Sequence, residues 1–196
     1  MRNSLVWRNS ESGWQLDIYK NGQYKASRKP HFWDGRPEFI RMYTEGPCPQ
    51  IQKYLRAGID EYDPSKNFGL DIQTVIDGID RELENRASSP KTSIVWRMDD
   101  GELISHQANK TIVDRGYTST TVDTGIFSGK RSVLYRIEGV TPDAGAMVDS
   151  TSQYDEAEYM LRRGSRFEVV SDNRCYFKQC RKHVRLVVLR YIGREA

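Results

Sequence analysis

The chain is predicted to fold as a single α+β domain, with N-terminal helices packed on a core of two mixed or antiparallel β-sheets. Three observations predict this. From residue 37 to about residue 90, apolar residues recur at helical spacing. Beyond that point they alternate, or gather into short runs rich in Val, Ile, Tyr and Phe. Turn-forming residues then separate the runs at intervals suited to packed strands.

In chain order, residues 6–26 alternate loosely around Asn21-Gly22, a hairpin signal. Residues 27–37 are rich in Pro, Gly and aromatic residues and read as an irregular connection. Phe39, Ile40 and Tyr43 recur at helical spacing until Gly46-Pro47 ends the pattern. Pro49 at a helix start, then Ile51, Tyr54, Leu55 and Ile59, predicts a second amphipathic helix. The clearest helix runs from Leu70 to Arg86. Its stripe is Ile72, Val75, Ile76, Ile79 and Leu83, and Asp71 suits the positive end of the helix dipole.

Strands follow at 93–98, 116–121, 132–140, 159–161, 167–171 and 184–192, with 102–111 read as a polar connection. This divides the chain into an N-terminal extension (1–48) that matches nothing recognised, a mainly helical stretch (49–92) and a β-rich remainder (93–196).

Composition excludes several classes. Of 196 residues, 37% are hydrophobic and 29% charged, and no run is long enough to span a bilayer. The first fourteen residues hold no apolar core of a cleavable secretory signal, so export by a signal-peptide-independent route is the expectation. A formal charge of +3 does not demand a nucleic-acid partner. Three cysteines, Cys48, Cys175 and Cys180, are an odd number that fits poorly with a disulfide framework. Cys175, Cys180 and His183 are spaced more widely than paired zinc ligands and no second pair follows, so no metal site is expected.

The chemistry concentrates in the β-rich part. Glu156 and Glu158 sit at the start of an apolar strand, and in extended backbone both point to one face. Arg97 follows the apolar Ile94-Val95-Trp96, Ser119-Thr120-Thr121 is a hydroxyl cluster after an aromatic residue, and Phe127 follows closely. Each has an ordinary explanation: a strand-end arginine, residues of high β-propensity, a solvated carboxylate. Their order carries more information than any one of them.

In that order they resemble the mono-ADP-ribosyltransferases of the Arg-Ser-Glu class, which include the actin-modifying and Rho-modifying bacterial toxins. The matching segments are Trp96-Arg97, Tyr117-Thr118-Ser119-Thr120-Thr121, and Glu156-Ala157-Glu158 through Leu161 to the Gly164-Ser165 turn. The likeness covers roughly residues 51–170. Thr121 stands where the family usually has serine, which keeps the hydroxyl.

The resemblance implies the ADP-ribosyltransferase fold, NAD as co-substrate, no metal, and a target protein with a reactive arginine as acceptor. Arg97 would hold the diphosphate by paired charge-assisted bonds. Glu158 would stabilise the cationic ribose, Ser119 would orient Glu158, and Thr120, Thr121 and Phe127 would complete the NAD site. Glu156 would hold the acceptor guanidinium, since Glu-x-Glu members modify arginine. Tyr154, Asp155 and Glu156 would read the target. Family habits further imply a toxin or effector acting in a target cell's cytosol, an immunity protein if that cell is bacterial, and no membrane partner.

Two other readings stand beside this one: NAD hydrolysis or transfer to an RNA acceptor, and a non-catalytic nucleic-acid-binding module. The last rests on the basic stretch Arg174, Lys178, Arg181, Lys182, His183, Arg185 and Arg190 with Tyr176 and Phe177 interleaved. Leu186 to Leu189 read as a buried strand, which makes those charges a solvated edge.

Overall fold

The computed structural model describes residues 38–67, 69–86, 93–100, 110–127, 131–148 and 157–195, with the strand course of five short segments within 4–37. Those segments are β1 (Ser4–Ser10), β2 (Gly13–Lys20), β3 (Gln23–Ala26), β4 (Phe32–Trp33) and β5 (Arg36–Pro37). β1, β2 and β3 form an antiparallel sheet in which Lys20 pairs with Gln23; the turn expected at Asn21-Gly22 lies outside the described residues.

Three helices follow: α1 (Phe39–Glu45), α2 (Cys48–Ala57) and α3 (Ile72–Asn85). Asp71 caps α3, accepting from the Thr74 amide at 2.9 Å and the Thr74 hydroxyl at 2.6 Å. At α1 the residue preceding the helix, Glu38, makes no side-chain cap. Glu82 of α3 does that job instead, accepting from the amides of Phe39 at 2.6 Å and Ile40 at 3.0 Å. Burial pushes the Glu82 carboxyl pKa up, and the two amides pull it back down. Helix α3 can lie this close because it carries Gly78: a Cβ there would stand 2.3 Å from the ring of Phe39.

Helix α2 is shorter than its apolar pattern predicts. Gly58 adopts φ +68° and returns its N–H to the Tyr54 carbonyl, which ends the helix. Ile59, expected on its apolar face, therefore lies beyond it and is 48% exposed.

Eight strands form the main sheet: β6 (Ile94–Asp99), β7 (Thr111–Asp114), β8 (Thr118–Thr121), β9 (Val133–Glu138), β10 (Gly145–Met147), β11 (Glu158–Leu161), β12 (Ser165–Phe177) and β13 (Lys182–Arg194). Their order is β10-β11-β8-β6-β9-β13-β12-β7, antiparallel except for β9 beside β13. The ladder is continuous, but β6 meets β8 only through the pair Trp96↔Thr121. The sheet thus divides into a five-strand leaf and a three-strand leaf.

One core joins the leaves: Val95, Tyr135, Ile137, Phe167, Val187 and Leu189 pack with Tyr159 and Leu161 of β11. The other face of the small leaf, through Ala146 and Met160, receives Ile40, Ile51, Val75, Ile76, Ile79 and Leu83 from the helices. From residue 39 onward the helices come before the large sheet, as the sequence predicts, whereas the two packed sheets expected there are one continuous eight-strand ladder.

Two strands of the main sheet went unread in the sequence, as did the two-residue strands β4 and β5 in the stretch read as an irregular connection. β7 is four residues long, and β10 is Gly-Ala-Met with no β-branched residue. Gly145 is required there because an added Cβ would sit 2.1 Å from the Met160 carbonyl of β11. Strand β12 also runs six residues past its expected end, through the polar Asp172, Asn173 and Arg174. Antiparallel pairing with β13, continuous to Phe177↔Lys182, carries it beyond its apolar stretch.

Because Glu82 caps a neighbouring helix from a half-buried position, Glu82→Ala should leave two amides unpaired and lower unfolding free energy by about 1–3 kcal/mol. Urea unfolding followed by circular dichroism measures this, and an unchanged midpoint would remove the capping role.

Candidate active site

The seam between the leaves opens into a cleft of about 630 Å³, lined by β6, β8, the start of β11 and helix α2. Alternation along β6 explains what it delivers. Val95 enters the shared core, and the next two residues on that face, Arg97 and Asp99, emerge at the cleft. Asp99 grips Arg97 from below, with Nε to Oδ2 at 2.6 Å and Nη2 to Oδ1 at 3.4 Å. Nη1 donates to the Ser119 carbonyl at 2.8 Å. Each terminal nitrogen keeps one N–H without a partner among the described residues, so a fork of two donors remains for a ligand.

Ser119 serves twice. While its carbonyl holds Arg97, its hydroxyl donates to Glu158 Oε1 at 2.6 Å. Register explains the reach: Glu158 pairs with Thr121, and Ser119 lies two residues back on the same face, a diagonal neighbour. Glu158 is 5% exposed, so its carboxylate depends on such partners.

Helix α2 closes the opposite side. Arg56 clamps the buried Asp114 of β7 with Nε and Nη2 both at 2.8 Å. Asp114 also accepts from the Gly116 amide and the Thr118 hydroxyl, so it is a fully engaged carboxylate. Gln52 donates to the Tyr117 carbonyl at 2.6 Å and to the Tyr43 hydroxyl at 2.5 Å. Gly116 lets α2 come this near, since a Cβ would lie 2.0 Å from Gln52 Oε1. Burial pushes the Cys48 thiol and the Tyr43 phenol up, so both stay protonated at neutral pH.

Arg97, Ser119, Thr120, Thr121, Phe127 and Glu158, all singled out in the sequence, line this one cleft. Two of them spend their hydroxyls internally. Thr120 is turned into the sheet and donates to the Tyr159 carbonyl, and Thr121 accepts from the Asp123 amide to fix the turn at Thr124–Ile126. Phe127 packs against Phe177, centroids 6.3 Å apart, while lining the cleft edge.

Glu156, Tyr154 and Asp155 lie outside the described residues. The same-face argument for the two glutamates, however, stops at Glu158. Strand β11 begins there, and Ala157 adopts φ +47°, a left-handed conformation that breaks the alternation. Its carbonyl accepts from the Val122 amide at 3.2 Å, which pins the strained residue in place.

Arg131, Asp99, Arg56 and Gln52 were missed in the sequence, yet all four line the cleft. Arg131 donates to the Met98 carbonyl at 2.8 Å and makes no ion pair among the described residues. The basic pair Lys130-Arg131 just after Phe127 was the available signal. Among the described residues, no group of His, Cys, Asp or Glu is arranged to hold a metal ion.

A serine joining an arginine to a buried glutamate at the seam of a split sheet is the frame that the sequence resemblance requires. The ADP-ribosyltransferase exoenzyme family matches the chain over residues 13–190. The chain belongs to that family. It is an ADP-ribosyltransferase, and NAD is its co-substrate.

Solved structures agree at the level of fold. Plx2a, an ADP-ribosyltransferase toxin from Paenibacillus larvae, superposes with a TM-score of 0.58 at 19% identity, covering 80% of this chain and 86% of its own. The Clostridium limosum C3 exoenzyme gives 0.59 at 17% identity, covering 79% and 83%. The ADP-ribosylating toxin BECa of C. perfringens, solved with NADH, gives 0.58 at 23% identity, covering 79% of this chain and 42% of that one. No curated protein matches the chain by sequence.

The cleft suits a dinucleotide. Its volume falls in the range of ligand sites, about 300–1,000 Å³. Arg97 offers an open donor fork, and Arg131 offers a guanidinium without a carboxylate partner among the described residues, so the cleft wall carries two cations of the kind that bind phosphate oxygens. Asp99 sets the plane of the Arg97 fork. Asp99→Asn weakens that grip while keeping its shape, and should raise the KM for NAD about tenfold with a smaller change in kcat. Initial rates across an NAD series test this, and an unchanged KM would remove Asp99 from NAD positioning.

Proposed function

We propose that the protein is a mono-ADP-ribosyltransferase that modifies an arginine of a target protein, acting as a bacterial effector in the cytosol of the target cell. The observation that supports it most is the Arg97–Ser119–Glu158 linkage across β6, β8 and β11, with Glu156 two residues before Glu158 in the sequence.

In this reading Arg97 and Arg131 hold the NAD diphosphate, which fixes the nicotinamide-bearing ribose toward Glu158. The bond from the ribose C1′ to the nicotinamide nitrogen breaks, and its electron pair leaves with neutral nicotinamide. Positive charge then spreads over C1′ and the ring oxygen, as in glycoside cleavage. Glu158 is held beside that charge before it forms, so little reorganisation accompanies its stabilising effect. Ser119 keeps the carboxylate aimed. Phe127, at the edge of the cleft, offers a face for the nicotinamide ring.

A guanidinium nitrogen of the acceptor then attacks C1′, and the proton it loses passes to Glu156. Tyr154 and Asp155, next to Glu156 in sequence, would meet the target around the arginine. A carboxylate at position 156 attracts a guanidinium, and this favours arginine over neutral acceptors. The neighbours of this fold include proteins named as toxins and a type III effector, which supports the effector role.

The two carboxylates should separate by experiment. Glu158→Gln should reduce both NAD hydrolysis and transfer about 10²–10³-fold while the protein stays folded. Glu156→Gln should abolish transfer to agmatine, a small guanidine acceptor, and to protein, yet leave NAD hydrolysis within about threefold of wild type. Labelled NAD with agmatine reports transfer, and nicotinamide release reports hydrolysis. Full transfer by Glu156→Gln would sink the arginine assignment without touching the NAD site.

A further inference from the structure

The β12–β13 hairpin runs past the sheet that supports it. β9 pairs with β13 only from Arg185 onward, and β7 pairs with β12 only up to Glu168. Its inner face, with Cys175, Phe177 and Val184, covers Met98, Leu134 and Phe127. The outer face and turn carry Arg174, Tyr176, Lys178, Arg181 and His183, all exposed. Between residues 172 and 185 the sequence has five Lys/Arg and a single carboxylate, Asp172.

Three features go beyond what folding of a hairpin asks for. Arg174 stands directly opposite Arg185, and like charges in that position oppose pairing. Asp172 neutralises Arg185, with contacts of 2.9 and 2.6 Å, while Arg174, Lys178, Arg181 and Lys182 make no ion pair among the described residues. Arg181 adopts φ +51° in the turn, where glycine or asparagine would sit without strain. Charges that guard a free strand edge would explain Arg174, because β12 is that edge, but not the same sign in the turn and on β13. A groove of about 440 Å³ opens where the hairpin outruns β9, lined by Arg174, His183, Asp172 and Arg185 among others.

The tip also adjoins the active site. Cys180 lies 3.7 Å from the carbonyl of Phe127, which lines the NAD cleft, and Gln179 donates at 3.4 Å to Thr124 in the turn that leads to it. We propose that this hairpin tip is a docking surface for an acidic face of the target protein, which it holds while the acceptor side chain reaches the cleft. The proposal rests on the protein-transferase reading above.

Charge complementarity selects the partner: four cations without an ion pair among the described residues call for clustered carboxylates, and such patches govern encounter rate and specificity. A nucleic acid fits less well. Tyr176 is 55% exposed but stands edge-on to His183 at 5.4 Å, which does not present the open stacking platform a base uses. An anionic membrane fits less well too, because Tyr176 is the one exposed large apolar side chain between residues 171 and 185.

The test combines Arg174→Glu, Lys178→Glu and Arg181→Glu in the full chain, with labelled NAD and the soluble proteins of a cell lysate. Labelling of target bands should fall about tenfold, while transfer to agmatine and NAD hydrolysis stay within about twofold of wild type. Poly-glutamate should compete with labelling by wild type and not with the residual labelling by the variant.

Unchanged band labelling would overturn the proposal. So would a parallel loss of agmatine transfer, which would place the tip's effect in the cleft. Competition by RNA or phosphatidylserine vesicles where poly-glutamate has no effect would assign the surface to another partner and overturn it as well. If the reversed variant fails to fold, Arg174→Gln, Lys178→Gln and Arg181→Gly removes the charges and relaxes the turn, with the same expectations. A wild type that hydrolyses NAD but labels neither agmatine nor protein would overturn the transferase reading, and this proposal with it. Labelled agmatine with insensitive bands would sink the docking surface alone.

Discussion

The two hydrogen bonds of Ser119 are the constraint on which the site depends. Its carbonyl accepts from Arg97 at 2.8 Å, and its hydroxyl donates to Glu158 at 2.6 Å, so one residue sets the separation of a cation and an anion on different strands. Oppositely charged side chains this close in a cleft would otherwise collapse onto each other, because their attraction is strong away from bulk water. Asp99 supplies a nearer carboxylate for Arg97, and Ser119 supplies a neutral donor for Glu158. Each charge is thereby partly satisfied and still usable.

The same logic extends outward in layers. Helix α2 could reach the cleft floor only if something drew it onto the sheet. The Arg56–Asp114 clamp does so, with the Asp114 side chain 1% exposed and all of its partners in place. A buried pair of this kind adds little net stability relative to apolar packing, yet breaking one side is costly because the other charge is stranded. Its contribution is therefore to geometry. Tyr117, just ahead of β8, ties the other end: its hydroxyl donates to Asp80 of α3 at 2.8 Å, and Arg163 holds the same carboxylate at 2.7 Å. The aromatic residue of the serine motif is thus a strut between helix and sheet.

Much of this was legible in the sequence, for definite reasons. The stripe from Val75 to Leu83 and the alternation in β6, β9 and β13 are long enough to show their period, and each leads to a described element. Arg97, Ser119 and Glu158 stood out through their order along the chain and the motifs around them. Asp99 and Arg56 did not. An acidic residue at a strand end and an arginine in the last turn of a helix are what solvated surfaces ordinarily carry, and only tertiary pairing distinguishes them. β10 was unreadable because close approach to β11, and not β-propensity, decides its residues. The end of α2 was readable in principle from Gly58, but Ile59 continued the apolar pattern and masked it.

The glutamate pair shows how far a spacing argument reaches. Period-2 alternation would have given both carboxylates the same rigid support. Instead Glu158 opens β11, paired with Thr121, and Ala157 before it is held at φ +47° by bonds to its carbonyl. An L-residue in that region costs about 1–3 kcal/mol, which persists only if the surroundings over-determine it. The strain changes the direction of the chain immediately before Glu158. A carboxylate on a strand suits a charge that develops at a fixed place on a bound sugar. In the proposed reading the donor-side carboxylate is thus anchored by its own strand and its serine partner, and needs no contact from the acceptor protein to hold its place.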